Sequence, residues 1–119
     1  MSRAKTPISE EVRREVFNRD GYRCRFVDEK GNRCCESGTE LAHGIADTVS
    51  NCISTLIIWK EKYDERSESW IHNNVINHPL NLFCSCPKHN DYFNRGFKRA
   101  QIPAIIEAIH KALRSEGLL

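Results

Sequence analysis

A chain of 119 residues has the length of one domain and can bury an adequate core, and its 39% hydrophobic and 29% charged residues exclude a disordered or fibrous chain. The formal net charge of +2 is too small by itself to name a nucleic-acid partner, and no apolar run approaches the roughly 20 residues that a bilayer span requires. Residues 1–7 carry basic side chains with no apolar stretch behind them, so no secretory signal and a cytoplasmic location are expected.

Ser9-Glu10-Glu11 followed by Val12, Val16 and Phe17 reads as a capped helix ending near Asp20-Gly21, where glycine supplies the stop. Residues 22–43 are turn-rich and predict a hairpin, with Asp28-Glu29-Lys30-Gly31-Asn32 as the turn between two cysteine-bearing arms, then a short strand through Glu40-Leu41-Ala42-His43. Between Thr48 and Tyr63 the apolar residues Val49, Cys52, Ile53, Leu56, Ile57 and Trp59 fall at helical spacing. Residues 64–77 read as a polar loop with local packing around Trp70, Ile71, Val75 and Ile76. Residues 79–83 read as a short strand leading into Cys84-Ser85-Cys86-Pro87-Lys88-His89, and residues 90–99 as a helix despite Gly96. Pro103 opens a last helix whose Ile105, Ile106, Ile109 and Leu113 share one face, expected to be core rather than a dimer surface.

A reducing compartment shifts six cysteines from disulfides toward metal ligation, and tetrahedral zinc is usually held by two pairs of ligands, each delivered by a tight turn. Cys86-Pro87-Lys88-His89 is such a C-x-x-H pair. The other pair is expected from the hairpin, as Cys24 with Cys34, Cys35 being the alternative, because a one-residue step along a strand turns the side chain to the other face. Cys52 and Cys84 are expected in the core.

Placed between and beside these pairs, His43 ends a strand, Asn81 precedes the second pair and Asn90 follows it directly. This order resembles the HNH nuclease family over roughly residues 12–96, through Arg19-Asp20-Gly21-Tyr22-Arg23-Cys24, Leu41-Ala42-His43, Asn81-Leu82-Phe83 and Cys86-Pro87-Lys88-His89-Asn90. Taken singly, such a histidine is an ordinary hydrogen-bonded group and Asn90 a helix cap; the ordered set carries the resemblance.

The resemblance implies an α+β fold with a small ββα-metal (His-Me finger) core, short antiparallel strands, flanking helices and a structural zinc site, residues 1–119 forming one nuclease domain. It implies metal-dependent hydrolysis of phosphodiester bonds in DNA. His43 would be the general base and Asn81 the asparagine that orients it through the strand backbone. Asn90 and Asn94 would hold a catalytic Mg²⁺ or Mn²⁺. Ala42 stands where many members carry an Asp or His ligand, leaving Asp47, Asn94, His78, water or His43 itself to complete that shell.

Basic residues recur at Arg13, Arg14, Arg19, Arg23, Arg25 and Arg33, and again at Arg95, Lys98 and Arg99, the last three expected along the phosphate backbone. Nicking with low sequence preference follows, with a homodimer or larger nuclease assembly required for double-strand cleavage. Two other readings remain open. One is an HNH-like zinc module that has lost its catalytic metal and binds DNA or a protein. The other is a zinc-knuckle RNA-binding module whose Tyr22, Phe26, Tyr92 and Phe97 stack on bases.

Overall fold

The first helix, α1 (Glu10–Asp20), starts where the Ser9 hydroxyl accepts the Val12 N–H at 3.1 Å and stops at Gly21, whose φ of 68° is the left-handed conformation that closes a helix. In this computed structural model, which describes residues 7–93 and 99–119, two four-residue strands follow, separated by a helical excursion. Strand β1 (Glu40–His43) pairs antiparallel with β2 (Leu82–Ser85), His43 opposite Leu82 and Glu40 opposite Ser85. Helix α2 (Val49–Lys62), helix α3 (Glu68–Ile71) and a π-helical turn (His72–Ile76) lie between the strands. After β2 come α4 (Pro87–Phe93) and α5 (Ile102–Ser115).

The apolar core joins the excursion to the C-terminal helix. Ile45, Trp59, Ile71, Val75 and Ile76 pack against Ile102, Ile106, Ile109 and Leu113, all buried. The stripe of α5 therefore faces its own chain, as its spacing suggests. Trp59 is wholly buried, and its indole N–H donates to Asp64 Oδ1 at 2.7 Å, which satisfies the one polar atom that burial would otherwise strand. Among the described residues no helix is long and apolar enough to cross a membrane.

Two expectations need correction. Residues 64–77 are not a loop: the Ser67 hydroxyl caps α3 at the Trp70 N–H, and the π turn's five-residue step sets Ile76 beneath Ile71, a spacing that ordinary helical periodicity conceals. The expected strand over residues 79–83 begins only at Leu82, because Pro79 has no N–H for a ladder and Pro79–Asn81 forms a 3₁₀ turn capped by the His78 ring. The expected hairpin does form: its arms are joined at every second residue by Gly38 N–H to the Tyr22 carbonyl at 2.8 Å, Cys24 N–H to Glu36 at 3.0 Å, Cys34 N–H to Phe26 at 2.8 Å and Asp28 N–H to Asn32 at 2.9 Å, with Arg23 bridging Ser37 and Val27 bridging Arg33.

The two halves meet at Asp20, the last residue of α1. Its Oδ1 accepts from Arg19 and Arg25, each at 2.8 Å, and its Oδ2 from the Cys84 backbone N–H at 2.9 Å. Arg33 completes the junction by donating to the Asp20 carbonyl at 2.8 Å. Burial alone would raise the carboxyl's pKa, but these donors outweigh it and hold the value at about 2.

A carboxyl with a depressed pKa contributes stability that is complete at neutral pH and is lost as pH falls through the folded value. The expected loss is therefore about 2 kcal/mol between roughly pH 4 and pH 2, measured by urea unfolding across that range. In Asp20→Asn, stability at pH 7 should fall by about 3 kcal/mol, since the arginines are left without their counter-charge, and this acid dependence should flatten.

Candidate functional site

The two arms of the hairpin place one cysteine each beside the start of α4. The turn closes with the Asp28 carboxylate accepting the Lys30 and Asn32 N–H groups at 2.9 Å and with Gly31 at φ 86°. Cys34 N–H donates to the Phe26 carbonyl at 2.8 Å, and Arg25 N–H to the Cys84 carbonyl at 2.9 Å, which fastens the hairpin to β2. On the other side, the Cys86 carbonyl accepts from the His89 and Asn90 N–H groups at 3.1 and 3.0 Å, the tight turn that brings Cys86 and His89 to one point.

The donor atoms of Cys24, Cys34, Cys86 and His89 all lie within 4.8 Å of one another. His89 Nδ1 is 3.3 Å from Cys86 Sγ and 3.6 Å from Cys24 Sγ, separations a tetrahedral shell of about 2.0–2.3 Å radius produces. The group can hold a metal ion. Cys35 is exposed and stands outside it. Cys84 also stands outside: it is buried under α1, and burial followed by the Asp20 charge pushes its thiol to about pKa 11, so it remains protonated. The Phe26 ring stacks on His89 with centroids 4.0 Å apart, and the exposed Tyr22 ring stacks on Phe17 at 5.7 Å.

His43 lies at the open end of β1 and is half-buried. Its Nε2 is 2.9 Å from Asn77 Oδ1. An amide oxygen only accepts, so Nε2 carries the ring proton and Nδ1 offers the lone pair that can take another. Asn81, wholly buried, acts on the chain two residues further on: its Oδ1 accepts the Ile45 N–H at 2.6 Å, and its amide donates to the carbonyls of Ile76 at 2.7 Å and Ile45 at 3.2 Å. Its own carbonyl accepts the Gly44 N–H at 2.8 Å. Asn81 thus fixes the backbone leaving His43, while Asn77 fixes the ring. Sequence reading missed Asn77, whose only signal was its place at the end of an unrecognised turn.

Helix α4 packs against both strands, and its Asn90 amide donates to the Ser85 hydroxyl at 3.0 Å. Strand alternation puts Ala42 and Ser85 on one face and His43 on the other. Two suggested substitutes for a ligand at position 42 are directed elsewhere, Asp47 to the His72 ring at 3.0 Å and His78 to the Leu80 N–H at 3.1 Å. Asn94, Arg95 and Lys98 lie outside the described residues, and Arg99 opens a 3₁₀ turn over Arg99–Gln101.

Four arginines of the N-terminal basic cluster bond to the chain itself. Arg19 donates to the carbonyls of Pro79 and Leu82 at 2.8 and 2.6 Å, Arg23 to that of Cys34 at 2.8 Å, and Arg33 to that of Cys24 at 3.0 Å. These guanidinium groups, with Arg25 on Asp20, hold the hairpin to α1 and β2. Comparisons of the chain with protein-family models, curated proteins and solved structures found no match.

Two substitutions test how the hairpin is seated. Cys34→Ser should remove one thiolate from the metal-bound spectrum in a Co²⁺ titration and lower the unfolding midpoint, while Cys35→Ser leaves both unchanged. A Cβ on Gly38 would sit 2.7 Å from Cys84 Cβ and 3.1 Å from the Arg23 carbonyl carbon. Gly38→Ala should therefore destabilise by about 1–3 kcal/mol in chemical denaturation, since both neighbours belong to fixed elements.

Proposed function

We propose that this chain is a metal-dependent DNA endonuclease of the HNH type, built on a ββα-metal core that a structural Zn²⁺ staples through Cys24, Cys34, Cys86 and His89. The observation that carries the proposal is His43, at the end of a paired strand, with its Nε2 engaged by Asn77 and Nδ1 left as the proton acceptor. The order of two antiparallel strands and a helix packed on both supports it. Three thiolates and an imidazole match the donor preference of zinc, and closure of all four corners by protein suits a structural role.

In this reading His43 Nδ1 removes a proton from water, and the hydroxide oxygen attacks phosphorus. The bond to the 3′ oxygen breaks, water supplies its proton, and the products carry a 5′ phosphate and a 3′ hydroxyl. A bound Mg²⁺ or Mn²⁺ supplies charge stabilisation at the phosphate and the departing oxygen. Asn90 and Asn94 on the helix side would hold that cation, and the Ser85 hydroxyl orients the Asn90 amide. Asn81 and Asn77 are positioning residues, acting through the backbone after His43 and through its ring. Because four arginines are engaged internally, backbone contacts to DNA fall to Arg95, Lys98 and Arg99 beyond α4, which favours binding that weakens with salt and reads little sequence. One site per chain nicks one strand, and double-strand cleavage would take two copies.

Ala42 favours a second reading, a zinc-stapled module that binds DNA or a protein without cutting, because the position directly before His43 then offers no metal ligand.

Supercoiled plasmid incubated with protein and Mg²⁺ or Mn²⁺ separates the two. Relaxed circles should form, disappear with EDTA, and fall by about 10²–10⁴-fold in His43→Ala. Asn77→Ala should lower nicking on the order of 10- to 100-fold with unchanged DNA affinity, as expected when a base loses its orienting partner. Equal inertness of wild type and His43→Ala in both metals, with the protein folded and zinc-loaded, would replace the nuclease with the binding module.

A further inference from the structure

A second group of metal-ligand side chains lies outside everything the nuclease reading uses. Asp47 in the turn after β1, Cys52 in the first turn of α2 and His72 at the start of the π turn place their donor atoms within 4.8 Å of one another. His72 Nε2 is 3.0 Å from Asp47 Oδ1, and Cys52 Sγ is 3.7 Å from the same oxygen. Ligands about 2.0–2.3 Å from a tetrahedral zinc ion stand about 3.3–3.8 Å from each other, so only a small shift of the Asp47–His72 pair is needed to admit the ion. Cys52 packs against the apolar core as expected, and its thiol also reaches the Asp47 carboxylate.

A buried histidine needs a polar partner, and Asp47 alone would meet that need. It does not account for a thiol at the third corner, nor for the π turn. His72 is buried to 1% exposure between Ile71 and Val75, and the helix widens by one residue from this position on, with Asn77 N–H donating to the His72 carbonyl at 3.0 Å. Such single widened turns are costly in an isolated helix and concentrate at functional positions. Here the turn delivers an imidazole into the corner formed by the Asp47 turn and the end of α2.

We infer that Asp47, Cys52 and His72 form a second site for a zinc-like divalent ion, with three protein ligands and a fourth position for water or another small ligand. One carboxylate, one thiolate and one imidazole suit a borderline ion such as Zn²⁺ or Co²⁺ and disfavour Mg²⁺ and Ca²⁺, which take oxygen shells. On binding, the Cys52 thiol proton passes to solvent, and the ring proton that His72 Nε2 shares with Asp47 is exchanged for one on Nδ1, which frees Nε2 for the ion. The site is linked to the His43 ring through Asn77, whose N–H bonds to the His72 carbonyl and whose side chain bonds to the His43 ring. Loading the site would stiffen the turn that aims Asn77. The site itself does not depend on the nuclease reading, and its readout is metal binding.

Protein equilibrated with buffered Zn²⁺ and measured by elemental mass spectrometry should hold two ions per chain, one in each Cys/His group. Cys52→Ala and Asp47→Asn should each hold one, with unchanged far-UV circular dichroism, and Cys35→Ala should hold two. In the wild-type protein, Zn²⁺ should slow alkylation of Cys52 at least tenfold, followed by peptide mass mapping; this keeps the test open if either variant fails to fold and separates Cys52 from Cys24, Cys34 and Cys86. Wild type saturating at one ion with Cys52 alkylated equally fast in Zn²⁺ and in chelator would overturn the assignment. So would Cys52→Ala retaining both ions.

Discussion

A single buried carboxylate organises the N-terminal half of this chain. Asp20 closes α1, caps the Cys84 N–H in the middle of β2, and is the counter-charge for Arg19 and Arg25. The Arg19 guanidinium that Asp20 neutralises also reaches the backbone carbonyls of Pro79 and Leu82. Remove the charge and α1, the hairpin and β2 lose their common anchor, since the hairpin's cross-arm backbone bonds join its arms only to each other. The Cys24, Cys34, Cys86 and His89 group then acts on a hairpin already seated: salt links fix it from one side and metal ligation can fix it from the other.

What could be read from the residues follows how local the determining physics is. Helices α1, α2 and α5 and strand β1 were legible because caps, a terminal glycine and apolar periodicity lie within each segment. The pairing of Cys24 and Cys34 with Cys86 and His89 was legible because ligand spacing is a short-range constraint and strand alternation separates Cys34 from Cys35. The π turn was not, since one extra residue per turn breaks the period that reveals a helix and the polar Asn73 and Asn74 mask the remainder. The internal roles of Arg19, Arg23, Arg25 and Arg33 were not legible, for the opposite reason. A guanidinium looks the same in sequence whether it faces a phosphate or a carbonyl across the fold, and Arg19 meets partners sixty residues away at Pro79 and Leu82.

The histidine site shows the same division. His43 and Asn81 stand out as residue types at suggestive places, and Asn81 does tie down the strand end beside His43. The side chain that sets the imidazole's tautomer is Asn77, four residues earlier and delivered by the π turn. Orientation of a ring is a through-space property, so it was visible only once the excursion between the strands had a shape. Ala42 fits this division too: it is buried at 1% exposure on the α4 face, where a larger polar ligand would have to displace packing.

His43 opposite Leu82 is where the chain departs from the sheet and where it returns. Residues 44–81 are consequently a closed excursion whose ends the strand pair already holds together, so the entropy of bringing them together does not have to be met again if the excursion grows or shrinks. Chain-closure entropy rises only slowly with length, about 0.6 kcal/mol per doubling, so homologues of this chain would be free to lengthen or exchange α2 and α3 while keeping the strand pair, the knuckle and α1 intact. What limits that freedom is α5, which comes from outside the excursion and covers it through Ile102, Ile106, Ile109 and Leu113. The part of the chain that can vary and the part that must vary with it are therefore separated by the sheet, with His43 on the boundary.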